Sequence, residues 1–214
     1  MTIKLKMVSG GKKYGVEKDK YDQLENFILY AHDNMTSPCM FHLLSHIDDI
    51  EAFKVTKRTL LKEFQRELKR QFKSSSQNCP KVLIAYSIEL KYTTLKEVNG
   101  EEDAYAYNRE NFLTPTGTTP FLHIHFHVIA DCNKTDPRLF KKYAIAALNN
   151  LKGLRAGRYF KSNQGELYKK VKESPDDCFS RILYIGKIEQ KSPDIPFRKT
   201  FGMSSLPTLY VKEL

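Results

Sequence analysis

The chain has 214 residues, 41% of them hydrophobic and 28% charged, with a formal net charge of +10 and a pI near 9.3. That length suits one domain with short appendages, and the positive balance favours a polyanionic partner whose binding would weaken with salt. No run of about 18 apolar residues occurs and Met1-Thr2-Ile3-Lys4 is polar, which argues against a membrane span or a secretory leader; Cys39, Cys79, Cys132 and Cys178 are too widely spaced for a zinc site and read as reduced thiols of a cytoplasmic protein.

Taken in chain order, Tyr21, Leu24, Phe27, Ile28 and Ala31 mark an amphipathic helix in an N-terminal appendage, residues 1–36. A first strand is expected at Cys39-Met40-Phe41-His42-Leu43-Leu44-Ser45-His46, opening a main domain over residues 37–190. Leu60, Leu61, Phe64, Leu68 and Phe72 recur at helical spacing within a basic run from Lys57 to Lys73. Lys81 to Leu90 is rich in β-branched and aromatic residues and reads as a buried strand with Glu89 near its end. A long polar connection, Lys91 to Pro120, is expected to be a mobile excursion over one end of the sheet.

The next segment, Phe121-Leu122-His123-Ile124-His125-Phe126-His127-Val128-Ile129-Ala130, alternates histidine with apolar residues. Successive strand side chains point to opposite faces, so the three imidazoles share one face and the apolar residues line the other. Neutral imidazole is a common metal ligand, and two of them need only a carboxylate or water to bind a divalent ion. If the two strands pair antiparallel, Glu89 supplies that carboxylate.

Asp136 and Pro137 then start a helix with Phe140, Ala144, Leu148 and Leu151 as its buried stripe and Gly153 as its stop. A second basic run, Lys152 to Lys172, interleaves Tyr159, Phe160 and Tyr168, the mixture single-strand nucleic-acid binders use for stacking and charge. Ser174, Pro175, Asp176 and Asp177 specify another helix start, with Phe179, Ile182, Leu183 and Gly186 on its packing face. Tyr184 and Lys187 sit three apart on that helix surface, and a C-terminal tail covers residues 191–214. This order implies an α+β fold, a ferredoxin-like antiparallel sheet with helices on one face and the metal on the open face.

Acid on a strand, His-apolar-His on the next, and Tyr-x-x-Lys on a later helix is the motif order of the HUH superfamily of single-strand DNA nickases. The chain resembles its single-tyrosine rolling-circle replication initiators, and looks closest to those of filamentous phages and small plasmids, over roughly Cys39 to Lys187. The resemblance implies an RRM-like palm, Mg²⁺ or Mn²⁺ held by Glu89, His125 and His127, Tyr184 as nucleophile and Lys187 as the assisting cation. His125 and His127 match the pair best because the strand continues apolar through Val128-Ile129-Ala130, although His123 and His125 also satisfy it. Tyr168 is the second candidate nucleophile.

The implied reaction is nicking of single-stranded or hairpin DNA, leaving a 5′-phosphotyrosine and a free 3′-hydroxyl, with strand joining as its reverse. Without a phosphate-binding Gly-x-x-x-x-Gly-Lys loop in the chain, a separate helicase and polymerase are implied. A transposase or relaxase of the same chemistry, or a non-enzymatic basic nucleic-acid-binding module, are the competing readings.

Overall fold

The computed structural model of the protein describes residues 4–9, 12–93, 119–159, 167–187 and 194–206. It opens with an antiparallel hairpin, β1 (Lys4–Ser9) and β2 (Lys12–Glu17), followed by helix α1 (Lys18–Asn34). Strand β3 (Pro38–Ile47) leads into α2 (Ile50–Lys57) and α3 (Leu60–Ser74), then β4 (Val82–Thr93) and β5 (Thr119–Asp131). Helix α4 (Pro137–Asn149), strands β6 (Leu154–Tyr159) and β7 (Lys169–Lys170), helix α5 (Pro175–Leu183) and strand β8 (Phe201–Met203) complete it.

Six strands form one mixed-order sheet, β6-β3-β5-β4-β8, with β7 on the same edge of β3 as β6 and every pair antiparallel. The fold is therefore α+β, as the alternating strand and helix patterns predict. The residues between β4 and β5 belong to the strands as far as Thr93 and from Thr119 on; the rest of the expected excursion, 94–118, lies outside the described residues.

Local chemistry explains the boundaries. Asp49 and Asp136 cap α2 and α4 by accepting the amides of Ala52 at 2.9 Å and Arg138 at 2.8 Å, and Pro137 occupies a first-turn position where no amide is needed. Gly153 turns the chain from α4 into β6 with φ +77°, and a Cβ there would lie 2.5 Å from the Asp49 carbonyl oxygen, so only glycine fits. Ser174 precedes α5 as expected, yet its side chain makes no cap hydrogen bond.

Helices cover both faces of the sheet, which corrects the expectation that they lie on one. On one face, Leu122, Ile124, Phe126 and Val128 of β5 pack with Phe53, Phe64, Leu68, Phe72, Phe140 and Leu148 from α2, α3 and α4. On the other, Met40, Leu83, Ala85 and Ile129 pack with Leu24, Phe27, Ile28, Cys178, Ile182 and Leu183 from α1 and α5. The physical reason is that the face carrying the histidines is apolar toward one end of the strands, and that end must be covered. The helix expected in the N-terminal appendage thus shares a core with the sheet, and Phe201–Met203 of the expected tail pair with Ala85–Ser87 of β4. Among the described residues no helix is long and apolar enough to cross a membrane.

Candidate metal centre

The site is set by register. In the β4–β5 ladder Glu89 lies opposite His123, Ser87 opposite His125 and Ala85 opposite His127. A carboxylate therefore reaches its direct and diagonal cross-strand neighbours, while His127, four residues along, is about 13 Å further down the strand at ~3.3–3.4 Å per residue. The Glu89 Oε2 atom lies 3.4 Å from His125 Nε2 and 3.9 Å from His123 Nε2, and the two Nε2 atoms are 3.1 Å apart. All three side chains are buried, and together they form a group able to hold a metal ion. The structure thus brings Glu89 together with His123 and His125, the alternative pair, and leaves His127 outside the group.

Tautomers follow from the surroundings. His123 Nδ1 is 3.1 Å from the Phe121 carbonyl oxygen, which can only accept, so the proton sits on Nδ1 and the Nε2 lone pair points at Glu89. His125 Nδ1 is 2.8 Å from His42 Nε2. Cis ligands at about 2.0–2.1 Å from one ion lie roughly 3.0–3.4 Å apart, so the two imidazole nitrogens already have the separation a shared cation requires. Two imidazoles and a carboxylate fit a divalent metal by donor type as well.

Burial would raise the Glu89 carboxyl, but His125, Lys187 and His123 more than offset it and hold it at about 2, so it is ionised. Burial lowers His127 to about 3, with His125 and Arg181 acting in the same direction. Neither ring nitrogen of His127 has a hydrogen-bond partner among the described residues; the ring stacks on His42 at 4.4 Å between centroids.

His42 and His46 belong to this face through β3, where they lie opposite His127 and His123. Five of the chain's six histidines therefore share one sheet face. Sequence reasoning placed both on a strand without giving them a role. Their spacing of four, which puts two residues on the same strand face, was the available signal. His46 stacks on Phe121 at 4.5 Å and contacts the Arg155 guanidinium at 3.4 Å.

The tyrosine segment reaches the same place. Tyr184 lies with its ring edge-on to His125, centroids 5.6 Å apart, and Lys187 Nζ sits 3.0 Å from the Tyr184 ring centroid. The local backbone differs from the expected helix surface: α5 ends at Leu183, Tyr184–Gly186 form a 3₁₀ turn, and Lys187 is extended, fully buried and bridged to Val16 of β2. Gly186 lets α1 and β2 come close, since a Cβ there would lie 3.2 Å from Leu24 Cδ1 and 3.3 Å from Val16 Cγ1. Tyr168, by contrast, packs on Phe41 at 5.8 Å, in the core on the opposite side of the sheet. The side chains of Tyr159 and Phe160 lie outside the described residues.

Glu89, His123, His125, Tyr184 and Lys187 thus form one buried to half-buried constellation drawn from three separate stretches of chain. Comparison with family models, with curated proteins and with solved structures returns no match for the chain.

Proposed function

We propose that the protein is a metal-assisted DNA nickase and strand transferase of the HUH type, acting as a rolling-circle replication initiator. The observation that carries this reading is the Tyr184 ring 5.6 Å from His125, with the Lys187 ammonium against its face. A two-histidine, one-carboxylate group alone suits many reactions; a tyrosine and a buried cation packed on it favour chemistry with a protein nucleophile. Topology supports the reading too: strand, helices, strand, strand, helix, strand, in the order β6-β3-β5-β4, is compatible with the proposed ferredoxin-like palm.

In the proposed reaction the Tyr184 hydroxyl oxygen attacks a DNA phosphorus and loses its proton. The bond from phosphorus to the 3′ oxygen breaks, and that oxygen takes up a proton as a free hydroxyl. A 5′-phosphotyrosine remains, which conserves the phosphodiester energy and lets a 3′-hydroxyl reverse the step. Free tyrosine has a pKa of about 10, so a cation beside the ring assists the attack, and Lys187 occupies that position. Mg²⁺ or Mn²⁺ held by Glu89, His123 and His125 would supply Lewis-acid polarisation of the phosphate. Single-stranded or hairpin DNA is the proposed substrate, read in a cytoplasm that also supplies a helicase and polymerase.

The test is incubation of the full chain with random-sequence single-stranded DNA and Mn²⁺, followed by denaturing electrophoresis and peptide mapping. A covalent adduct mapped to Tyr184, absent from Tyr184→Phe, is the expected result. An adduct on Tyr168, or full yield from Tyr184→Phe, overturns the assignment of the nucleophile.

A further inference from the structure

We propose that His42 is a positioning residue, holding His125 in the one tautomer and ring orientation that can ligate a cation. The inference rests on the metal-site reading of Glu89, His123 and His125.

An imidazole ligates only through a nitrogen that carries no proton. The Nε2 atom of His125 is the one facing Glu89 Oε2, at 3.4 Å, and His123 Nε2, at 3.1 Å, so when a cation is held there the His125 proton must reside on Nδ1. That Nδ1 lies 2.8 Å from Nε2 of His42. The hydrogen bond therefore runs from His125 Nδ1–H to the His42 Nε2 lone pair, and His42 carries its own proton on Nδ1. With the opposite assignment, His125 would present an N–H to the carboxylate and have no lone pair for a cation.

The two ligands are oriented by different means. His123 donates to a backbone carbonyl of its own strand, at 3.1 Å, an acceptor that no substitution removes. His125 relies on a side chain of the neighbouring strand β3, which can be replaced. The His42 ring is itself fixed by stacking on His127, with 4.4 Å between centroids and 17° between planes. That contact gives His127 a task although its nitrogens make no hydrogen bonds among the described residues: it is the wall against which His42 is set. Outer partners of ligating histidines typically contribute about 10–100-fold to metal affinity.

Two substitutions separate the hydrogen bond from the stack. His42→Phe keeps a ring against His127 and removes the acceptor; His42→Gln removes the ring and keeps an acceptor oxygen within reach of His125 Nδ1. Mn²⁺ binding to the full chain, followed by loss of the free-ion electron paramagnetic resonance signal, should weaken about 10–100-fold in His42→Phe and stay within roughly threefold of wild type in His42→Gln. In ¹⁵N-labelled wild-type protein saturated with diamagnetic Mg²⁺, the imidazole spectrum should show His125 protonated on Nδ1 and His42 unprotonated on Nε2, a readout that needs no variant to fold. Equal Mn²⁺ affinity in His42→Phe and wild type, or a proton on His42 Nε2 in the Mg²⁺-bound protein, overturns the inference and leaves the metal site standing. Failure of the wild type itself to bind Mn²⁺ removes the metal-site reading, and the positioning role with it.

Discussion

Strand β5 has two faces that spend the same backbone on different ends. Leu122, Ile124, Phe126, Val128 and Ala130 fill a core against α2, α3 and α4, where any side chain of similar volume and shape would serve. One residue out of step, His123, His125 and His127 are equally buried, yet each has a particular neighbour: a carboxylate and a carbonyl, a carboxylate and an imidazole, a stacked ring. The difference teaches that burial alone does not rank residues for function. Buried apolar groups need only volume, whereas buried polar groups need specific partners, so an apolar face tolerates substitution and a polar one records a role.

The comparison can be broken most forcefully on the apolar side. Phe126→Ala should destabilise the fold by about 3–5 kcal/mol in urea unfolding, because a fully buried ring packed near Phe64 leaves a cavity. The fraction still folded should bind Mn²⁺ normally; a matching loss of affinity in folded molecules would mean the faces are not independent. On the histidine side, His123→Ala should weaken Mn²⁺ binding at least about 100-fold, roughly 2.7 kcal/mol, by the rule that tenfold is about 1.4 kcal/mol. His127→Ala should weaken it less than His123→Ala, and the reverse order would restore the pair His125 and His127.

A smaller effect is expected with pH. Burial, together with His125 and Arg181 and against the more distant Glu89, holds His127 at about 3, below the unfolded value of 6.5, while its ring stacks on His42. The unfolded chain then binds more protons between those values, so stability is full above pH 6.5 and declines as pH falls toward 3. In chelator, the loss from this group at pH 5 is about 2 kcal/mol, and His127→Phe should flatten the slope of unfolding free energy between pH 6.5 and 5. An unchanged slope would show that His127 does not carry it. Least of all, Tyr168→Phe should shift stability by under about 0.5 kcal/mol and leave any adduct unchanged, since its ring packs on Phe41 away from the histidines. Loss of the adduct in that variant would place the chemistry on the wrong face.

Much of this was legible in the sequence. Period two in β5 gave both faces, helical spacing gave α1, α3, α4 and α5, and the acid, histidine and tyrosine motifs named five residues that the fold does gather, Glu89, His123, His125, Tyr184 and Lys187. Which two histidines meet Glu89 was not legible. A slip of one residue turns a strand over and is forbidden by the apolar pattern, but a slip of two keeps every side chain on its face. Only the hydrogen-bonded register of β4 on β5 decides between His123 and His127 as the residue opposite Glu89, and the connection between those strands is too long to fix it. His42 and His46 stayed silent for a related reason: nothing local says that β3, distant in sequence, lies beside β5. The β1–β2 hairpin left a plainer trace, with Gly10-Gly11 between two strands that pair from Ser9 and Lys12 outward, a strong short-hairpin signal that went unused. Lys187 defeated a helical reading because α5 ends four residues earlier, at Leu183, and a 3₁₀ turn follows it.

The bridge from Lys187 to Val16 bears on how small a working fragment can be made. Every motif lies downstream of Pro38, and a trimmed gene starting there would encode all of them. Yet the backbone that presents Tyr184 and Lys187 is moulded against Val16 and Leu24, and α5 rests on α1 through Tyr21 and Phe179, whose ring centroids are 5.0 Å apart. Removing the first stretch of the chain would therefore spare the proposed metal ligands and cast off the mould of Tyr184, the proposed nucleophile. A minimised version has to retain the segment from Val16 to Asn34, or graft a substitute that offers the same surface.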